Sequence, residues 1–162
     1  MEYKQPRSVQ VVIFAETFSE RHYLLLRRIA GHGGFWQSVT GSLEPGETHR
    51  QAAVREVREE TGIDAAEDEL IELGVINTFE IAPQWRGKYA PGVVRNEEVC
   101  FALKVDHCEV RGEVRVDWRE HDAYKWEPYD RSIEMLYWDS SKRAFAAARL
   151  LAWGTSRSRG QK

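Results

Sequence analysis

Residues 41–63 read Gly-Ser-Leu-Glu-Pro-Gly-Glu-Thr-His-Arg-Gln-Ala-Ala-Val-Arg-Glu-Val-Arg-Glu-Glu-Thr-Gly-Ile. A glycine-containing loop runs into a helix in this stretch. Thr48 is a good N-cap, and Gln51 three residues on completes a capping-box pattern. Ala52, Ala53, Val54, Arg55 and Glu56 have good helix propensity, and Gly62 stops the helix. At about 100° per residue, Glu56, Glu59 and Glu60 fall within roughly 100° of arc. Ala53 and Val57, four apart, are free to face a core. Carboxylates usually sit better near a helix N-terminus than in its last turns. Three of them at the C-terminal half is a local conflict, and such conflicts gather at functional sites.

Carboxylate oxygens are hard ligands, so the fitting ions are Mg²⁺ or Mn²⁺. Mg²⁺ commonly joins a few carboxylates to substrate phosphates. Gly41 and Gly46 allow close turns, and Pro45-Gly46 is a turn signal just before the helix. Glu47 is placed to pair with Arg55 and so fix loop on helix. The plain alternative is a solvated acidic face with ordinary Arg/Glu pairs.

The complete spacing resembles the signature of the Nudix hydrolases. It runs Gly, five residues, Glu, seven residues, Arg-Glu, an aliphatic, one residue, Glu-Glu, one residue, Gly and an aliphatic. Gly41, Glu47, Arg55, Glu56, Val57, Glu59, Glu60, Gly62 and Ile63 meet it at every position. The resemblance implies an α/β class fold, an α/β/α sandwich with a mixed central sheet. It implies hydrolysis of a nucleoside diphosphate linked to another moiety, with divalent metal. It makes Glu56, Glu59 and Glu60 the expected catalytic and metal-binding side chains. Gly41, Glu47 and Arg55 become the structural brace between loop and helix.

The chain has 162 residues, 42% of them hydrophobic, enough for one domain with one core. We expect a single domain over residues 1–154 and a flexible basic tail over 155–162. A net charge of −3 gives no general pull toward nucleic acid or an anionic membrane. A long polyanion is therefore not favoured as the main substrate, whereas the small triphosphate that the resemblance implies as partner needs only local cations. The two cysteines, Cys100 and Cys108, form no metal pattern; Cys100 lies in an apolar run and reads as a buried thiol. No signal peptide or membrane span is visible, and a cytoplasmic protein is expected. Strands are predicted at 8–15, 23–26, 71–79 and 97–105. A glycine-rich loop at 29–34 and a long connection at 80–96 are expected, the latter functional by its length. A last helix is predicted from 141 to 153, capped by Ser140 and ended by Gly154.

Three more segments resemble the branch of the Nudix family that acts on dihydroneopterin triphosphate in bacterial folate synthesis. They are Phe35 to Ser42, Lys88 to Asn96 and Glu120 to Trp126. This implies release of pyrophosphate to leave dihydroneopterin monophosphate, with Mg²⁺ as cofactor. Glu120 then becomes a catalytic carboxylate and metal ligand from outside the helix. Arg28 and Lys4 are the first choices for binding phosphate. Thr40 precedes the signature and offers a hydroxyl or backbone contact. Phe79, Glu80, Ile81 and Ala82 fall where that branch lines its substrate pocket. A broader (d)NTP pyrophosphatase accepting dATP is the alternative. A catalytically silent sensor would ordinarily lack some of the glutamates, and an RNA 5′-end hydrolase would favour a basic face. His49 and His121 read as surface residues. Trp36 and Trp126 are placed to shape the pocket, and Trp118, Trp138 and Trp153 to pack.

Overall fold

The computed structural model describes residues 2–106 and 114–154. Cys108 and the 155–162 segment lie outside them. Seven strands form one mixed sheet: β1 (Arg7–Glu16), β2 (Arg21–Arg28), β3 (Trp36–Gln37), β4 (Val39–Ser42), β5 (Leu70–Glu80), β6 (Arg95–Val105) and β7 (His121–Pro128). Among the described residues three α-helices accompany it: α1 (His49–Thr61), α2 (Tyr129–Met135) and α3 (Asp139–Arg149).

β1 is the centre. Val9, Val11, Val12, Ile13, Phe14 and Ala15 are all buried, so the strand is covered on both faces. Along one edge it pairs in parallel with β6, Arg7 opposite Glu97 through Ala15 opposite Val105. Its other edge is shared. The first half pairs with β4 and the last residues with β2, both antiparallel. β2 then carries β3 and β7, and β5 closes the far side against β6. The sheet therefore divides at Ser38, between β3 and β4.

Two cores lie on opposite faces. Val9, Val11, Ile13, Leu24 and Leu26 pack with Ala52, Ala53 and Val57 of α1. Val12, Phe14, Tyr23, Leu25, Cys100 and Ala102 pack with Ala144, Phe145 and Ala148 of α3. The result is the α/β/α layering expected. Among the described residues no helix is long and apolar enough to cross a membrane.

Several local expectations need correction. The last helix is Asp139–Arg149, with Trp138 rather than Ser140 at its N-cap. It stops early because the Arg21 guanidinium takes the carbonyls of Ala148, Leu151 and Ala152 at 3.1–3.3 Å. α2 and β7 were not anticipated. β7 mixes charged and aromatic residues and is half-buried almost throughout, so it shows no clean alternation. The 29–34 loop holds a 3-10 turn at Ala30–His32, and the long connection holds another at Pro83–Lys88. Trp118 and Trp153 stand largely in solvent instead of packing.

Candidate active site

Local sequence builds the loop–helix unit. Thr48 accepts from the Gln51 N–H at 3.1 Å, and Gln51 Oε1 accepts from the Thr48 N–H at 2.9 Å. Gly62 ends α1 in the left-handed conformation, φ 78°. Glu47 accepts two bonds from Arg55, at Nε (2.7 Å) and Nη2 (2.9 Å). Arg55 also donates to the Ser42 carbonyl at 2.9 Å and to Glu56 Oε1 at 2.8 Å. One planar fork thus joins the loop, β4 and α1. Glu47, hydrogen-bonded by Arg55, is held below the usual carboxylate range.

Gly41 faces Glu56 directly. A Cβ at position 41 would overlap the Glu56 carboxyl group. The glycine is needed for this close approach; its backbone is not in the left-handed region.

Glu60 is 2% exposed, and its Oε1 has no hydrogen-bond partner. Burial pushes its carboxyl well above the ordinary range, the neighbouring Glu56 and then Glu120 adding to this, while the Thr40 N–H opposes it. Burial also raises Glu56, with Arg55 pulling it back. Glu59 turns away: it is exposed and ion-paired to Arg55 Nη1 at 3.1 Å. The structure therefore brings Glu56 and Glu60 together, leaves Glu59 on the solvent side, and sets Glu120 near enough for its charge to be felt. Among the described residues no three His, Cys, Asp or Glu side chains already surround one point. The pair fits a hard divalent cation nonetheless. An orphaned buried carboxylate oxygen beside a second carboxylate is a donor set short of positive charge.

Cations gather at the same place. The Lys4 ammonium is pushed below its ordinary value by burial and then by Lys88 and Arg28, while Glu56 and Glu120 act the other way. Lys4, Arg28, Glu56 and Glu120, spread over the chain, thus share one neighbourhood. Thr40 lies in β4 opposite Gln10. Phe79 is 40% exposed at the end of β5. Ile81 is buried and held by its backbone, its N–H on Val94 O at 2.8 Å and its carbonyl on Arg86 Nε at 2.9 Å. Glu80 is exposed, and Ala82 precedes the 3-10 turn.

His121, read from sequence as a surface residue, is completely buried. Its Nε2 stands 3.2 Å from Gln37 Nε2 and 4.0 Å from Glu60 Oε1. Burial drives the imidazole down to about 4, so it is neutral at pH 7. No sequence signal marked it, because its burial comes from β7 lying against β2.

The layered mixed sheet and the loop–helix carboxylate pair define a class: a hydrolase fold whose glycine loop and helix set acidic side chains close to the cations Lys4 and Arg28. The NUDIX domain profile matches residues 4–149, and the chain belongs to the Nudix family of hydrolases. It is 46% identical over 126 residues to the dihydroneopterin triphosphate diphosphatase of Escherichia coli K12, covering 76% of this chain and 79% of that one. The Haemophilus influenzae protein of the same name is 36% identical over 137 residues, covering 83% and 82%. The solved structure of the E. coli dihydroneopterin triphosphate pyrophosphohydrolase superposes with a TM-score of 0.74 at 41% identity, covering 90% of this chain and 95% of that one.

Proposed function

We propose that this hydrolase converts dihydroneopterin triphosphate to dihydroneopterin monophosphate and pyrophosphate, as a cytoplasmic step of folate synthesis dependent on Mg²⁺, with Mn²⁺ able to substitute. The carrying observation is the buried Glu56–Glu60 pair with its unpartnered oxygen, set in one neighbourhood with Lys4 and Arg28. The names of the E. coli and H. influenzae relatives support the substrate.

In this reading Glu56, Glu60 and Glu120 hold the metal. The ion, when bound, neutralises phosphate oxygens and lowers the pKa of a water. The chain's residues do the rest. Arg28 and Lys4 hold the triphosphate, as a fork and a point charge respectively. Arg55 and Glu47 keep α1 fixed on its loop. Glu59, on the solvent side and tied to Arg55, serves the brace more directly than the metal in this arrangement. Thr40 and Phe79 to Ala82 line the substrate end.

The test is the initial rate of pyrophosphate release from dihydroneopterin triphosphate and from a dNTP panel, with Mg²⁺ and with EDTA. Preference for the pterin, abolished by EDTA, is the expected result. A flat or dATP-favouring profile would retain the Nudix chemistry and discard the pterin. The broader (d)NTP pyrophosphatase would then be the better description.

A further inference from the structure

Beyond the N-terminal end of α3, the sheet face opposite α1 becomes polar. Cross-strand pairing sets Ser42 opposite Ser8, Thr40 opposite Gln10, Asn77 opposite Glu98 and Phe79 opposite Asn96. Ser8 is also the parallel partner of Glu98. Opposed residues share a face, so these side chains form one strip. The Asn77 amide reaches the Ser140 carbonyl in the first turn of α3, at 3.4 Å. That contact marks where the helix cover ends.

Two acceptors in the strip are short of donors, and that of Asn96 is fully buried. Glu98 is 5% exposed. Gln10 Nε2 donates to its Oε1 at 2.9 Å and Asn77 Nδ2 to the same atom at 3.0 Å, leaving Oε2 without a hydrogen bond among the described residues. The Gln10 oxygen is taken by the Ser38 hydroxyl at 2.6 Å. Arg143 gives its Nε to Asn77 Oδ1 at 2.9 Å and reaches Glu98 only through space. Asn96, 3% exposed, donates to Ser8 Oγ at 2.7 Å, and its Oδ1 has no partner. A carboxylate so buried is costly to the fold, and a glutamine or an apolar residue would fill the space at less expense. Thr40 links the strip to the carboxylate centre. It lies opposite Gln10 in the sheet, and its backbone N–H acts on Glu60.

We propose that Glu98, with Asn96 beside it, determines specificity at the ring end of the substrate by accepting N–H donors from a flat heterocycle. The proposal rests on the reading of the site as a triphosphate pyrophosphohydrolase. Two acceptors on one face of β6 suit a ring edge that carries an amino group next to a ring N–H. Pterins and guanine carry that edge, and thymine does not. Phe79, half in solvent and opposite Asn96, offers a face for the ring to lie against. A site built to accept N–H donors rejects rings lacking them far more strongly than an apolar pocket can.

The experiment is equilibrium binding in EDTA, where turnover is absent, of dihydroneopterin triphosphate, dGTP and dTTP. Wild type is expected to bind the first two more tightly than dTTP. Glu98→Gln should weaken those two at least about tenfold and dTTP by less than about twofold, the loss of hydrogen bonds to a charged group. Glu98→Asp keeps the charge but draws it back, and the same ratio is read from it if Glu98→Gln does not fold. Equal weakening of all three ligands, or no wild-type preference over dTTP, overturns the proposal. A preference for dGTP alone, lost in the variant, upholds it while removing the pterin assignment. The Mg²⁺-dependent rate assay decides the hydrolase reading separately.

Discussion

Gly41 and Glu56 fit each other so closely that no side chain can stand between them. Gly41→Ala should displace the Glu56 carboxylate while leaving the hydrophobic layers intact. We expect a loss of at least about 100-fold in pyrophosphate release, since small misplacements of a reacting group cost that much, with an unchanged far-ultraviolet dichroism spectrum. Glu60 carries the opposite tension. Its folded carboxyl lies well above its unfolded value, so its contribution to stability is full below about pH 4.5 and is lost as pH rises through the folded value. Glu60→Gln, which cannot ionise, should abolish activity and yet melt higher than wild type at pH 8 without Mg²⁺. That gain should shrink toward pH 5 and on adding Mg²⁺ to the wild type; a melting point lower than wild type at pH 8 would contradict the assignment. The glutamates and Gly41 are legible in the sequence because their spacing is fixed within one loop and helix. Glu98 and His121 are not, since nothing near either in the chain reveals that distant strands will bury it.

At the scale of elements, α1 is readable from its own letters, with cap, capping box and terminal glycine all local. The end of α3 is not, because Arg21 of β2 closes it from 127 positions away. Arg21 also pairs with Glu16 at 2.6 Å and lies over the Phe14 ring at 4.6 Å. Arg21→Ala strips the carbonyls of their donor and leaves Glu16 with Lys104 as its remaining ion-pair partner. We expect a loss of about 3 kcal/mol in urea unfolding, typical of removing one partner of a buried pair. β7 is hidden for a related reason: its alternation is blurred by half-burial on both sides, so pairing with β2 rather than pattern makes it a strand.

At the scale of the molecule, His121 couples the whole fold to acid. Its folded value near 4 lies below the ordinary 6.5, so its contribution is complete above about pH 6.5 and is lost as pH falls toward 4. The loss amounts to about 3 kcal/mol over that interval. In urea titrations at pH 7 and pH 4.5, wild type should therefore lose more stability relative to His121→Asn than the other acidic and basic groups, common to both, can explain. Equal pH slopes in the two proteins would refute it. The layered architecture itself is legible from the loop–helix signature, whereas the order of strands in the sheet rests on contacts no local pattern encodes.

The parallel pairing of β1 with β6 has a consequence in time. Arg7 finds its partner at Glu97, 90 positions later, and a chain made from its N-terminus must expose β1 until most of its length has emerged. Val9 to Ala15 is then an apolar ribbon paired along one edge by β4 and β2 and open along the edge that β6 will take. Closing so distant a pair is slow, because the loop between must be ordered before the contacts repay it. Birth of the molecule, rather than its mature stability, is where β1 is most exposed to aggregation.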